Sequence, residues 1–173
     1  MESRSKILGH ASHQMLVVFP LGLLVTAVVF DAVYLITGRA EFGTVSYWMI
    51  AAGLVGALAA AVPGTIDWLA IPSGTRAKAI GLWHGLGNVF GVVGLYAASW
   101  YFRQADPAHP SGLAVGLAAG GLAVGGVTAW LGGELVDRLG IGVDPGAHPN
   151  APNSLSGRPA HEQSRGRGLP GTV

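Results

Sequence analysis

An all-α membrane protein is the fold class the sequence predicts: four transmembrane helices in an up-down-up-down bundle, with both termini cytoplasmic. Three observations predict it. Four apolar stretches are each long enough to cross a bilayer, the connections between them are short, and lysine and arginine gather on one side. Half of the 173 residues are hydrophobic and only 11% are charged, against about 25% in a soluble domain. Water is therefore a poor solvent for this chain.

The first stretch runs from about Gln14 to Ile36 and is interrupted only by Asp31. Arg4 and Lys6 precede it as they would a signal peptide. The apolar run, however, exceeds the roughly 7–15 residues of a signal core, and no A-x-A-like site precedes Thr37-Gly38-Arg39. It is read as a retained span. The second stretch covers about Val45 to Leu69 and carries Pro63 and Asp67 in its last third. The third, about Ala79 to Phe102, contains His84 and Asn88, and the fourth, about Gly112 to Val136, has no charge before Glu134. Residues 1–143 thus form one transmembrane domain. The rest, 144–173, is rich in Pro, Gly, Asn, Ser, His and Arg without periodicity, and reads as a disordered cytoplasmic tail.

Arg4, Lys6, Arg76, Lys78, Arg138, Arg158, Arg165 and Arg167 fall on one side and only Arg39 and Arg103 on the other. The positive-inside rule places the first side in the cytoplasm, in a bacterial inner membrane. Tyr34, Tyr47, Trp48, Trp100 and Tyr101 then belt the outer face, and Trp68 and Trp83 the inner one. Net charge is +1, which argues against a nucleic-acid partner. The absence of cysteine excludes disulfides, thiolate metal sites and cysteine nucleophiles. No phosphate loop, nucleophile elbow or Ser-His-Asp pattern appears, so an enzyme is the less favoured class.

Glycine occurs 28 times. Gly112, Gly116 and Gly120 recur every fourth residue, as do Gly121, Gly125, Ala129 and Gly133, and Gly81 pairs with Gly85 and Gly87 with Gly91. Small residues at this spacing let helices approach closely, within the bundle or in a homo-oligomer.

Four polar side chains interrupt the spans near the cytoplasmic face: His13, Asp67, His84 and Glu134. The histidines belong to diagonal helices and the carboxylates to the other two. The halves echo each other, because Val18-Phe19 and Val89-Phe90 follow each histidine at the same offset. This is the pattern of a parallel repeat of two hairpins. Each residue also has a plainer reading. His13 suits the interface, Asp67 an ion pair with Arg76 or Lys78, and Glu134 an i,i+4 pair with Arg138. His84 suits a hydrogen bond to Asn88 on its own face, and Asp31, at the opposite end, faces Arg39.

As a functional cluster, three chemistries fit. The two histidines suit bis-imidazole ligation of a b-type haem, with Arg76 and Lys78 meeting the propionates. His13 and His84 with Asp67 and Glu134 suit a single Zn or Fe ion. The same residues suit a proton relay in a small oligomeric transporter. The rival to all three is a structural or interaction protein whose polar ring only closes the inner end of the bundle.

Met15-Leu16-Val17-Val18-Phe19-Pro20-Leu21-Gly22, Val62-Pro63-Gly64-Thr65-Ile66-Asp67-Trp68-Leu69, Gly81-Leu82-Trp83-His84-Gly85 and Trp130-Leu131-Gly132-Gly133-Glu134-Leu135-Val136 also carry a likeness. In these four segments, spanning about residues 10–143, the chain resembles the bacterial membrane family known as domain of unknown function 2231. The resemblance implies a small four-span protein without an established activity. Some relatives are joined to Rieske-type iron–sulfur domains, which favours redox and, for this chain, a separate electron-transfer partner. A proline often follows the first histidine in that family, whereas Gln14 stands here.

Overall fold

The computed structural model describes residues 1–163. Four long apolar helices dominate it: α1 (Ser12–Thr37), α2 (Ala40–Ala70), α3 (Arg76–Tyr101) and α4 (Gly112–Arg138). Each begins and ends within a few residues of its expected span, except that α2 starts earlier. Its first turn carries Glu41, a charge that belongs outside hydrocarbon but is favourable at a helix N-terminus. Gly38, in the left-handed conformation, ends α1 and permits the tight turn into α2. Thr75 and Ser111 cap α3 and α4 by accepting from the backbone N–H groups of Lys78 and Ala114. The α-helical ladder loosens to π geometry over Gly87–Val93 and Glu134–Arg138.

α1 packs chiefly against α2, and α3 against α4, which is the two-hairpin arrangement the sequence suggests. The segments before α1 and just after α4 meet at one end of the bundle, where the Met1 ammonium donates to the Gly140 carbonyl over 2.7 Å. Residues 144–163 lie at that end as turns and one short 3-10 helix, Ser154–Ser156. The tail residues 164–173, including Arg165 and Arg167, lie outside the described residues.

The core is a small set, Leu24, Ala27, Ile50, Tyr96 and Ala118, drawn from all four helices. Tyr96 donates its hydroxyl to the Leu24 carbonyl at 3.0 Å, which ties α3 to α1. Gly121 makes room for this ring, since a Cβ there would lie 2.7 Å from it. Gly87 faces Thr128 and Gly91 faces Val124, whereas Gly112 and Gly116 meet nothing within the described chain. The glycine pattern is thus used in part inside the bundle and in part on its outer surface.

Toward the end away from the termini, Arg103 is fully buried and holds Asp31 through two bonds of 2.7 and 2.6 Å. Ser46 Oγ accepts from the same guanidinium at 3.0 Å, and Ser99 Oγ accepts from its Nε at 3.2 Å. This corrects the expected pairing of Asp31 with Arg39, which pairs instead with Glu41 in its own turn. Arg103 stands just past the end of α3 and reaches back into the bundle, where it is the cation that Asp31 pairs with. Tyr47 is also buried, stacked on the half-buried Trp100 at 5.6 Å, so Tyr47 packs inside and does not join the lipid-facing belt.

Breaking a buried pair strands a charge and costs about 3–5 kcal/mol, while replacing both partners with apolar groups is often tolerated. Arg103→Ala should therefore lower thermal stability in detergent sharply. Asp31→Leu with Arg103→Met should recover most of it, as read from the unfolding midpoints of the three proteins.

Candidate functional site

His13 lies in the first turn of α1 and His84 in the third turn of α3, and the bundle brings their rings to 6.3 Å between centroids, edge to face. Each is fastened to the neighbouring helix of its own hairpin. His13 Nδ1 lies 2.8 Å from the Ala60 carbonyl of α2, and His84 Nδ1 lies 2.8 Å from the Thr128 carbonyl of α4. A carbonyl can only accept, so each Nδ1 carries the proton and each Nε2 presents a lone pair in the neutral ring.

The two seats repeat. Four residues beyond each accepting carbonyl stands a glycine, Gly64 after Ala60 and Gly132 after Thr128. A Cβ on Gly64 would come within 2.8 Å of His13 Nδ1, and one on Gly132 within 3.1 Å of His84 Cε1. A larger residue at Gly64 would force the His13 ring to shift, and one at Gly132 would press on the His84 ring. The seats differ in one respect. Asn88, on the π-helical part of α3, donates through Nδ2 to the His84 carbonyl at 2.8 Å and reaches His84 Nε2 at 3.3 Å. Its Oδ1 accepts from the Thr128 hydroxyl at 3.0 Å. His13 Nε2 has no hydrogen-bond partner among the described residues.

The carboxylates do not join the histidines. Asp67 accepts from the Ser3 hydroxyl at 2.7 Å, the Arg4 backbone N–H at 2.7 Å and the Ser5 backbone N–H at 3.2 Å. It anchors the segment ahead of α1 and makes no ion pair with Arg76 or Lys78. Glu134 bonds Arg76 across the bundle at 2.6 Å and does not bond Arg138. The π-helical turn over Glu134–Arg138 shifts the i,i+4 register on which that local pair depends. Lys78 donates to the Trp68 carbonyl at 2.7 Å and sits 4.0 Å over the Trp68 ring. Among the described residues, no three His, Asp or Glu side chains are placed to hold one metal ion. Of the four residues expected as ligands from the sequence, the structure brings the two histidine rings together, while the carboxylates bond elsewhere. No direct hydrogen bond among the described residues links either carboxylate to either histidine.

Outside the spans, the N-terminal segment is tied to the chain beyond α4. Lys6 bonds Asp144 at 2.6 Å and Glu2 at 2.8 Å, and these carboxylates raise its ammonium above its ordinary range.

Residues 9–145 match the family model described as predicted membrane protein DUF2231. The chain belongs to that family. No curated protein and no solved structure gives a significant match. Membership of DUF2231 accords with the four long apolar helices and places the chain in the lipid bilayer. The matched residues include both histidines, their carbonyl seats and the Asp31–Arg103 pair.

Asp67→Ala should free residues 3–5 while leaving the bundle folded. Amide exchange followed by mass spectrometry in detergent should show faster exchange confined to the N-terminal segment.

Proposed function

We propose that this protein serves the bacterial cytoplasmic membrane by holding a transition-metal centre between His13 and His84, with both termini in the cytoplasm. The observation that carries the reading is the pair of carbonyl-locked imidazoles. Metal-bound histidines characteristically donate their second ring nitrogen to a carbonyl or carboxylate, which fixes the tautomer and orients the ring. Here two histidines on diagonal helices do so at the same depth. The orientation rests on the lysine and arginine asymmetry. It is sharpened by Arg103, whose burial leaves Arg39 as the exposed cation on the opposite side.

Haem iron and a single ion are both ligated by imidazole. The residues fit the single ion better. Arg76 and Lys78, the propionate partners of the haem version, are engaged by Glu134 and by the carbonyl end of α2. Bound at this pair, a redox-active metal supplies one-electron chemistry. The chain's own residues supply two oriented donors and a surrounding of apolar helix that limits water. A separate electron-transfer partner and a homo-oligomer through the outward Gly112 and Gly116 are compatible with this reading.

Protein expressed with ample haem and trace metals and purified in detergent should retain near-stoichiometric metal or show a dithionite-sensitive haem spectrum. His84→Ala should lose that signal and Glu134→Gln should keep it. Wild-type protein free of both haem and metal after such expression overturns the reading, in favour of a purely structural polar ring.

A further inference from the structure

We infer that the ion suited to the His13–His84 pair is cuprous copper, held between two imidazole ε-nitrogens alone. This rests on the paired-imidazole reading and goes further by naming the ion.

Donor number is the first argument. The pair offers two neutral nitrogens, and the nearest candidates for a third ligand are engaged elsewhere, Asp67 by Ser3, Arg4 and Ser5 and Glu134 by Arg76. Zinc is almost always four-coordinate in structural sites and takes three protein ligands plus water in catalytic ones. Cuprous copper is a d10 ion stable with two donors in line. Charge is the second argument. Two neutral imidazoles leave the whole ionic charge uncompensated inside the bundle, where charge is costly. Desolvation grows with the square of the charge, so a monovalent ion meets about a quarter of the divalent penalty.

Geometry is the third. Metal–imidazole bonds of about 2.0–2.1 Å set two donor nitrogens on one ion about 4 Å apart when they face each other. Ring centroids stand somewhat farther apart, and 6.3 Å is a separation of that size. The rings stand edge to face with their planes 87° apart, so holding one ion in line asks an imidazole to turn until both ε-nitrogen lone pairs share an axis. Asn88 guards His84 Nε2 only at 3.3 Å and keeps its bonds to the His84 carbonyl and the Thr128 hydroxyl when it yields that position. The proposed orientation adds a fourth point, since the cytoplasm is the reducing side of the membrane.

The test is anaerobic titration of the purified full-length protein in detergent with cuprous ion against a chromophoric cuprous chelator. Zinc, ferrous ion and haemin are titrated in parallel. One cuprous ion per chain is expected, weakened at least about tenfold in His13→Ala and in His84→Ala. X-ray absorption of the wild-type copper complex should show two nitrogen donors and the pre-edge feature of two-coordinate copper. This measurement stands even where a variant fails to fold. Three or more donors at copper, or histidine-dependent binding of zinc, iron or haem without cuprous binding, overturns the assignment and leaves the paired-imidazole reading intact. Failure of every metal and of haem to bind overturns both.

Discussion

The Asp31–Arg103 pair is the interaction on which the bundle's geometry turns. Lipid offers no hydrophobic force to bring apolar helices together, so association relies on close packing and polar contacts. One guanidinium here engages all four spanning segments. It binds Asp31 of α1, Ser46 of α2 and Ser99 of α3, and approaches the Ala114 carbonyl of α4 at 3.5 Å. Arginine suits this place because its planar fork matches a carboxylate with two bonds and leaves donors for the serines. A lysine would carry the same charge but could not span these partners.

The opposite end is closed by different means. There the chain's own termini form the seal, with Met1 on Gly140, residues 3–5 on Asp67, and Lys6 on Asp144. The Arg103 end is fastened by charge buried among helices, the other by backbone and side-chain bonds nearer the surface. Exposed pairs of the second kind contribute little each, about 0–1 kcal/mol. The end at Met1 and Gly140 is therefore the softer of the two, and the histidine pair lies next to it.

The spans, their order and the proximity of His13 to His84 were legible in the sequence. Apolar length and short loops determine an antiparallel bundle, and equal depth on diagonal helices brings the two rings together. The His84–Asn88 contact was legible because it is local, at i,i+4. The partners of the charged groups were not. Asp31 and Arg103 are 72 positions apart, and Arg103 stands where the pattern reads as loop. Asp67 is satisfied largely by backbone N–H groups, which every residue but proline carries and which no residue pattern advertises. Glu134 has an arginine four positions on that would be its natural partner in an α-helix. The π-helical turn that separates them is a backbone feature without a residue signature.

What remains is why histidine should stand at both seats. If the need were only for a bond between the helices of each hairpin, one donor to the Ala60 or Thr128 carbonyl would suffice. A hydroxyl supplies one without a second polar atom, as Ser99 of α3 does by donating to the Ala114 carbonyl of α4 at 2.6 Å. Imidazole brings a second nitrogen into an apolar setting, where a polar atom without a partner is a liability. Fastening the proton to Nδ1 determines that this second nitrogen is a lone-pair donor. The arrangement is made twice, each time with a glycine close against the ring. His84 Nε2 meets the Asn88 amide only at 3.3 Å and His13 Nε2 has no partner among the described residues, so the second nitrogens are left for the ligand that the proposed reading requires.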